Sequence, residues 1–117
     1  MDNFAAERCV PCRADEPPLD AETVREYAAE LPDWESVDVR GVRRLRRRFR
    51  FPDFAQALAF TDSVGALAEE QDHHPRLVTQ WGRVTVDWWT HAIDGLHRND
   101  FIMAAKTDEL YADEFEA

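Results

Sequence analysis

Hydrophobic positions recur at helical spacing in three parts of the chain. The first stripe starts after Asp20, a good N-cap residue, and stops at Pro32, which cannot continue a helix. A second stripe starts after Asp53 and should end at about Gln71, and a third is expected to start after Asn99 as its N-cap. The apolar positions of the second stripe are Phe54, Ala57, Leu58, Thr61, Val64, Leu67 and Ala68. The pattern therefore predicts three helices.

Between these stripes the spacing changes to the alternation of β-strands. Residues 42–51 place Leu45, Arg47, Phe49 and Phe51 on one face and Arg44, Arg46, Arg48 and Arg50 on the other. A turn at Gly41 would pair this strand with residues 34–39. The same alternation over residues 77–91, interrupted at Gly82, predicts a second hairpin. One face carries Val84, Val86 and Trp88, and the other carries Thr85, Asp87, Trp89 and His91.

The resulting order is helix, two strands, helix, two strands, helix. This order predicts an α+β domain, a two-layer α-β-β-α-β-β-α arrangement in which helices pack on one face of a four-stranded antiparallel sheet. We expect residues 19–111 to form the domain, residues 1–18 an extended arm and residues 112–117 an acidic tail. Short open sheets have exposed edges, so a homodimer or homotetramer is expected.

Length and charge limit the classes of function. A chain of 117 residues is one domain by length. No apolar run approaches the roughly 20 residues that span a bilayer, and the first residues lack the pattern of a signal peptide, so we predict a cytoplasmic protein without membrane contact. The net charge of −10 disfavours nucleic acid as a partner. The arginine face of residues 42–51 is therefore interpreted as a solvated strand face that pairs with acidic neighbours, rather than a nucleic-acid patch.

The acidic excess also suggests a salt-tolerant source. Molar salt screens the self-repulsion of such a surface, so we expect the melting temperature of the protein to rise with KCl concentration. A melting series in rising KCl checks this hypothesis, and no gain in stability at molar salt would count against it.

The two cysteines, Cys9 and Cys12, supply half of a tetrahedral zinc site and lie in a proline-rich segment instead of at the start of a helix. A structural or incidental role is favoured, with a disulfide or an intersubunit metal as alternatives.

Candidate chemistry is concentrated in residues 69–100, which hold all four histidines and three of the four tryptophans. Histidines titrate near neutral pH, so this combination suggests proton transfer on a planar ligand. Trp88 is predicted to belong to the core, because it shares a strand face with Val84 and Val86. His97 is expected to be a surface or hydrogen-bonded structural residue.

Within this segment, the spaced pattern Glu69-x3-His73-His74-Pro75-x5-Trp81-x9-His91-x8-Asp100 resembles the signature of the pterin-4a-carbinolamine dehydratase family. The similarity extends through Trp34, the strand from Leu45 to Phe51, the following helix and Ala104-Ala105-Lys106. It spans about residues 19–108.

The resemblance implies an enzyme that removes water from a 4a-hydroxytetrahydropterin and gives a quinonoid dihydropterin. The hydroxyl on C4a leaves with a proton and N5 of the ring loses one, so the reaction needs an acid and a base; an imidazole, with a pKa of about 6.5, can serve as either. By the resemblance, the catalytic histidines are His73 and His91, the proton-transfer pair, and His74, which helps to bind and orient the pterin. Which member of the pair is the acid is left open.

The resemblance also implies a binding site around these histidines. Glu69, Asp72 and Asp100 would orient the imidazole rings or bind the amino-pyrimidine edge of the pterin. Trp34 and Trp81 match aromatic positions that line the family's site. His73, His74 and His91 with Asp100 would also suit zinc or iron, but adjacent histidines diverge on an extended chain, so we predict no metal and no other cofactor.

Two other functions are considered. Members of this family can act as dimerisation cofactors for transcription factors, which would be a non-catalytic binding role. Alternatively, the protein could act on a pterin in molybdenum-cofactor or folate metabolism. Nothing in the residues separates this second possibility from pterin recycling for an aromatic-amino-acid hydroxylase.

Overall fold

The architecture is described by a computed structural model for residues 3–11 and 13–115. In this part of the chain the helices are α1 (Ala21–Ala28), α2 (Phe54–Gln71) and α3 (Arg98–Glu114), and the strands are β1 (Glu35–Val39), β2 (Val42–Arg50), β3 (Arg76–Gln80) and β4 (Arg83–Trp88). The strands form one antiparallel sheet in the order β1-β2-β4-β3. The predicted α+β fold is confirmed. Within the same ranges no helix is long and apolar enough to cross a bilayer.

The inner face of the sheet is the apolar face that the alternation predicted. Leu45 pairs with Trp88 and Phe49 with Val84, and all four side chains are buried beneath the helices. Arg47 shares this face, where its Cζ atom lies 4.4 Å from the centroid of the Phe49 ring and its Nη1 atom 2.6 Å from Asp108 Oδ1. Trp88, predicted to be a core residue, donates from Nε1 to Thr107 Oγ1 of α3 at 3.2 Å. The sheet and α3 are therefore joined through the aromatic centre of the core.

The outer face carries the arginines, and a buried carboxylate neutralises part of it. Asp87 of β4 is completely buried and accepts two hydrogen bonds from Arg46, at 2.7 and 2.8 Å, and one from Arg44 at 3.1 Å. Burial by itself would raise the pKa of the Asp87 carboxyl, but the hydrogen bonds from Arg46 and Arg44 outweigh it and hold the pKa below its usual value. Asp87 is one of the acidic neighbours that the sequence-based interpretation of this face required.

The helix ends confirm two predicted caps and correct a third. Asp20 accepts from Thr23 N and Asp53 from Gln56 N, each at 2.8 Å. The prediction that Asn99 caps α3 is wrong, because the N-cap is His97. Its Nδ1 accepts from the backbone N–H of Asn99 at 3.0 Å. Asp100 accepts from the backbone N–H of His97 at 2.9 Å, which completes a capping box with histidine in the position usually taken by serine or threonine.

The structure adds detail near both ends of the predicted domain, whose boundaries stay predictions. α3 continues to Glu114, beyond the expected end at residue 111, because Phe115 packs edge-on against Phe51 and Phe60. The described residues of the N-terminal segment have little regular structure, apart from a 3-10 turn at Phe4–Ala6, and Phe4, Ala5 and Cys9 pack against the core. Phe4 is buried against Tyr27 and Phe101, which fixes this segment to α1 and α3.

Candidate active site

The histidine-rich loop begins where α2 ends in a left-handed residue. Asp72 has φ 52° and ψ 45°, a conformation that aspartate tolerates better than most residues. The backbone N–H of His73 then bonds to Ala68 O at 3.1 Å, which closes the last turn of the helix. Pro75 comes directly after His74 and disfavours helical backbone angles at that histidine. The loop therefore turns His73 towards the protein interior and leaves His74 exposed.

His73 is buried in a hydrogen-bonded pair with Asp100. Its Nε2 lies 2.7 Å from Asp100 Oδ1, and its ring stacks on Trp88 at a centroid distance of 5.9 Å. The other carboxylate oxygen of Asp100 accepts from Thr90 Oγ1 at 2.8 Å and from the backbone of His97. A carboxylate can only accept, so with Asp100 ionised the donor of this hydrogen bond is His73 Nε2, and Nδ1 is left for a further partner. One buried carboxylate thus orients the imidazole and caps α3.

The other two motif histidines lie nearer the solvent. His74 is paired with Glu69, which lies in the last turn of α2. His91 is exposed at the start of a short 3-10 turn, His91–Ile93, and its ring lies 4.5 Å from that of Trp89. His73 and His74 lie in the loop after α2, whereas His91 follows β4. The packing of α2, β4 and α3 brings the three histidines to one cavity.

That cavity has a volume of about 760 Å³, within the range of small-molecule sites. Its lining includes the three motif histidines, Asp72 and Thr90. The N-terminal segment also contributes to the lining, through Arg8, Cys9, Val10 and Pro11. The cavity therefore combines imidazoles with residues of the N-terminal segment.

The tryptophans expected at the site lie elsewhere in this single chain. Trp34 is buried in the core, with its ring 5.9 Å from Phe49 and its Nε1 bonded to Asp108 Oδ1 at 2.9 Å. Trp81 is 73% exposed in the β3–β4 turn. Neither lines the cavity. Glu69 reaches the site through its contact with His74, and Asp100 through His73.

Sequence reasoning missed the wall formed by the N-terminal segment. Asn99 holds it, because the Asn99 amide accepts from Val10 N at 3.0 Å and donates to Val10 O at 2.7 Å. Gln71 Oε1 accepts from Cys9 N at 3.0 Å. Burial, followed by the charge of Asp100, raises the pKa of the Cys9 thiol to about 11, so this cysteine is a neutral wall residue at neutral pH. The N-terminal segment has no periodic apolar pattern that would predict its burial. Asn99, which anchors it, is interpreted from the sequence as a helix cap.

Cys12 lies outside the described residues, so the role of the Cys9 and Cys12 pair stays a prediction. Among residues 3–11 and 13–115, no three His, Cys, Asp or Glu side chains are grouped closely enough to hold a metal ion.

Replacing Asn99 with alanine should loosen the N-terminal wall. The two hydrogen bonds to Val10 are worth about 1 kcal/mol in sum where the freed backbone can reach water, so local opening should become about five-fold more frequent. Trypsin cleavage after Arg8 under native conditions measures this opening. Gln56→Ala, which removes an exposed amide side chain on α2, is the control and should cleave like wild type. Equal cleavage rates for Asn99→Ala and wild type would show that Asn99 does not hold the segment.

The fold and the site together define a class of protein: a two-layer α+β domain with a histidine-lined pocket at the end of α2. A family model described as "Pterin 4 alpha carbinolamine dehydratase" matches residues 17–110, and the chain belongs to this family. A relative from Chlorobium limicola, provisionally named a pterin-4-alpha-carbinolamine dehydratase, is 63% identical over 103 residues, which are 88% of this chain and 91% of the relative.

Two solved structures share the fold. A Brucella melitensis protein, described as a transcriptional coactivator/pterin dehydratase, has a TM-score of 0.71 and 31% identity over 80% of this chain and 97% of its own. A pterin dehydratase-like protein, described as a RuBisCO assembly factor in the alpha-carboxysome, has a TM-score of 0.57 and 28% identity over 67% of this chain and 88% of its own.

Proposed function

We propose that this protein is a hydro-lyase that removes water from a 4a-hydroxytetrahydropterin and releases the quinonoid dihydropterin. The observation that carries the proposal is the buried His73–Asp100 pair in one cavity with His74 and His91. Family membership supports the reaction class, and the cavity has the size of a site for a small bicyclic ligand.

His73 and His91 divide the proton transfers between them. The reaction breaks the C4a–O bond, protonates the leaving hydroxyl to give water and removes the proton from N5, so one acid and one base suffice. His73 presents Nδ1 because Asp100 occupies Nε2, whereas His91 lies at the exposed side of the cavity, where protons exchange with water. His74, paired with Glu69, helps to bind and orient the pterin, and Asp72, which also lines the cavity, would bind its amino-pyrimidine edge.

The cellular context is part of the same proposal. The dihydropterin product suits a reductase that regenerates the tetrahydropterin, so we place the enzyme in tetrahydropterin recycling. A cytoplasmic location and a homodimer or homotetramer remain predictions, as do binding roles for Trp34 and Trp81, which would require a neighbouring subunit or a local rearrangement to bring them to a pterin.

The decisive experiment follows the decay of 4a-hydroxytetrahydropterin by stopped-flow absorbance with the purified wild-type protein. The spontaneous rate in buffer is subtracted, because this substrate also dehydrates unaided. Acceleration well above the buffer rate is the expected result. A rate equal to that of buffer would reject the dehydratase.

A non-catalytic binding role is the alternative, and the likeness to a structure described as an assembly factor favours it. Such a role would not need the proton-transfer pair. A His73→Ala, His91→Ala double variant that keeps the biological effect of wild type would support binding over catalysis.

A further inference from the structure

The ring of His91 is held differently from the rings of the other three histidines. Each of those lies against a carboxylate: His73 against Asp100, His74 against Glu69 and His97 against Glu16. Among the described residues, no carboxylate pairs with His91. Its ring lies instead on an indole, with a centroid distance of 4.5 Å to Trp89 and an angle of 34° between the planes.

Trp89 is itself held by a cation. The Cζ atom of Arg44 lies 3.8 Å from the centroid of the Trp89 ring, well within the range of a cation–π contact. The sheet register explains this approach. Leu45 of β2 pairs with Trp88 of β4, so Arg44 and Trp89 are neighbours on the outer face just beyond the end of β4.

Arg44 is fixed in turn by the buried carboxylate of the outer face. Its Nη1 donates to Asp87 Oδ2 at 3.1 Å, and Asp87 is anchored separately by Arg46. The Arg44 side chain is only 15% exposed, so it has little room to leave the indole. The four residues Asp87, Arg44, Trp89 and His91 therefore form a continuous series of contacts from the outer face to the cavity.

The backbone that carries His91 is also constrained. Thr90 and Gly95 form a bridge, with Thr90 N bonded to Gly95 O at 2.9 Å, and the 3-10 turn lies between them. A Cβ at Gly95 would come within 2.9 Å of Pro18 Cβ, so glycine permits the close approach of the segment before α1. With the backbone fixed, the main freedom left to His91 is rotation of its side chain, which the indole restricts.

We propose that Trp89 and Arg44 are positioning residues that hold the imidazole of His91 at the edge of the cavity. The catalytic consequence rests on the proposed dehydratase function. Proton transfer needs the donor and acceptor at hydrogen-bond distance, and a misplacement of about 1 Å can cost up to about 100-fold in rate. A ring held by stacking needs no hydrogen bond from the protein at either nitrogen, so both nitrogens are left for the substrate or for water.

The test combines an NMR measurement with kinetics on the purified full chain. In spectra of protein labelled at histidine, the His91 ring resonances should show the ring-current shift of the indole. Trp89→Ala should abolish that shift, and Trp89→Phe should retain part of it. Arg44→Gln should reduce the shift, whereas Arg48→Gln, at another arginine of the same strand face, should leave it unchanged.

In the kinetic measurements, Trp89→Ala should lower kcat about tenfold with KM changed less than about two-fold, since the ring is displaced but the cavity is intact. Trp89→Phe should recover most of this loss. Unchanged His91 resonances in Trp89→Ala would overturn the proposal. So would an unchanged kcat in an active protein, or a loss that phenylalanine does not rescue. If wild type itself is inactive, the dehydratase function fails, and the NMR comparison still decides whether Trp89 holds the ring.

Discussion

Replacing His73 with alanine is expected to lower kcat for dehydration by about 100- to 1,000-fold, the usual contribution of a positioned acid or base. The ring is buried and tied to Asp100 at 2.7 Å, so no other described side chain replaces it at that place in the cavity. Stopped-flow decay of the 4a-hydroxytetrahydropterin, corrected for the buffer rate, measures the loss.

His91→Ala should cause a comparable loss of kcat with a smaller effect on stability, since His91 is exposed.

The matched control is His97→Asn, which changes the histidine outside the motif. Asparagine is itself a good N-cap, so α3 should keep its start and kcat should stay near wild type. If His73→Ala kept kcat within about threefold of wild type after the buffer correction, His73 could not be a proton-transfer residue, since such a group contributes at least about 100-fold.

Replacing Asp100 with alanine is expected to cost about 3 kcal/mol of unfolding free energy, the combined effect of a lost cap and of buried donors left without an acceptor. Asp100 is completely buried and accepts from His73, Thr90 and His97. For a chain of this size, such a loss should lower the melting temperature by roughly 10 °C. Urea unfolding measures the free energy. Asp62→Ala, at an exposed position of α2, is the control and should stay within about 0.5 kcal/mol of wild type.

Asp100→Asn separates folding from ring orientation. Asparagine can still accept from Thr90 and from the backbone of His97, but its amide would donate to His73 Nε2. The imidazole would then carry its proton on Nδ1, the reverse of the tautomer that Asp100 imposes. We expect a smaller loss of stability than in Asp100→Ala, together with a loss of kcat of at least about tenfold. Wild-type kcat in Asp100→Asn would contradict the orienting role of Asp100.

The apolar pattern predicted most of the fold because burial selects residues at the period of each element. Phe49 alternates with arginines, and Trp88 shares its strand face with Val84 and Val86, so the inner face of the sheet could be identified without any structure. Asp20 and Asp53 were identifiable as caps because their hydrogen bonds are local in sequence. His97 was missed as a cap, although its spacing to Asp100 is that of a capping box, because histidine seldom fills this position.

The sequence by itself determined the class of domain, its core faces and the histidines from which the proposed chemistry is built. These follow from local periodicity and from a motif whose members lie within residues 69–100. Tertiary structure decided that Asp100 joins His73 to the start of α3, that Val10 closes the cavity through Asn99, and that Arg44 reaches Trp89 beside His91. Each of these contacts joins residues far apart in the chain. Their distances depend on strand register and on how the helices cross the sheet, which local pattern does not encode.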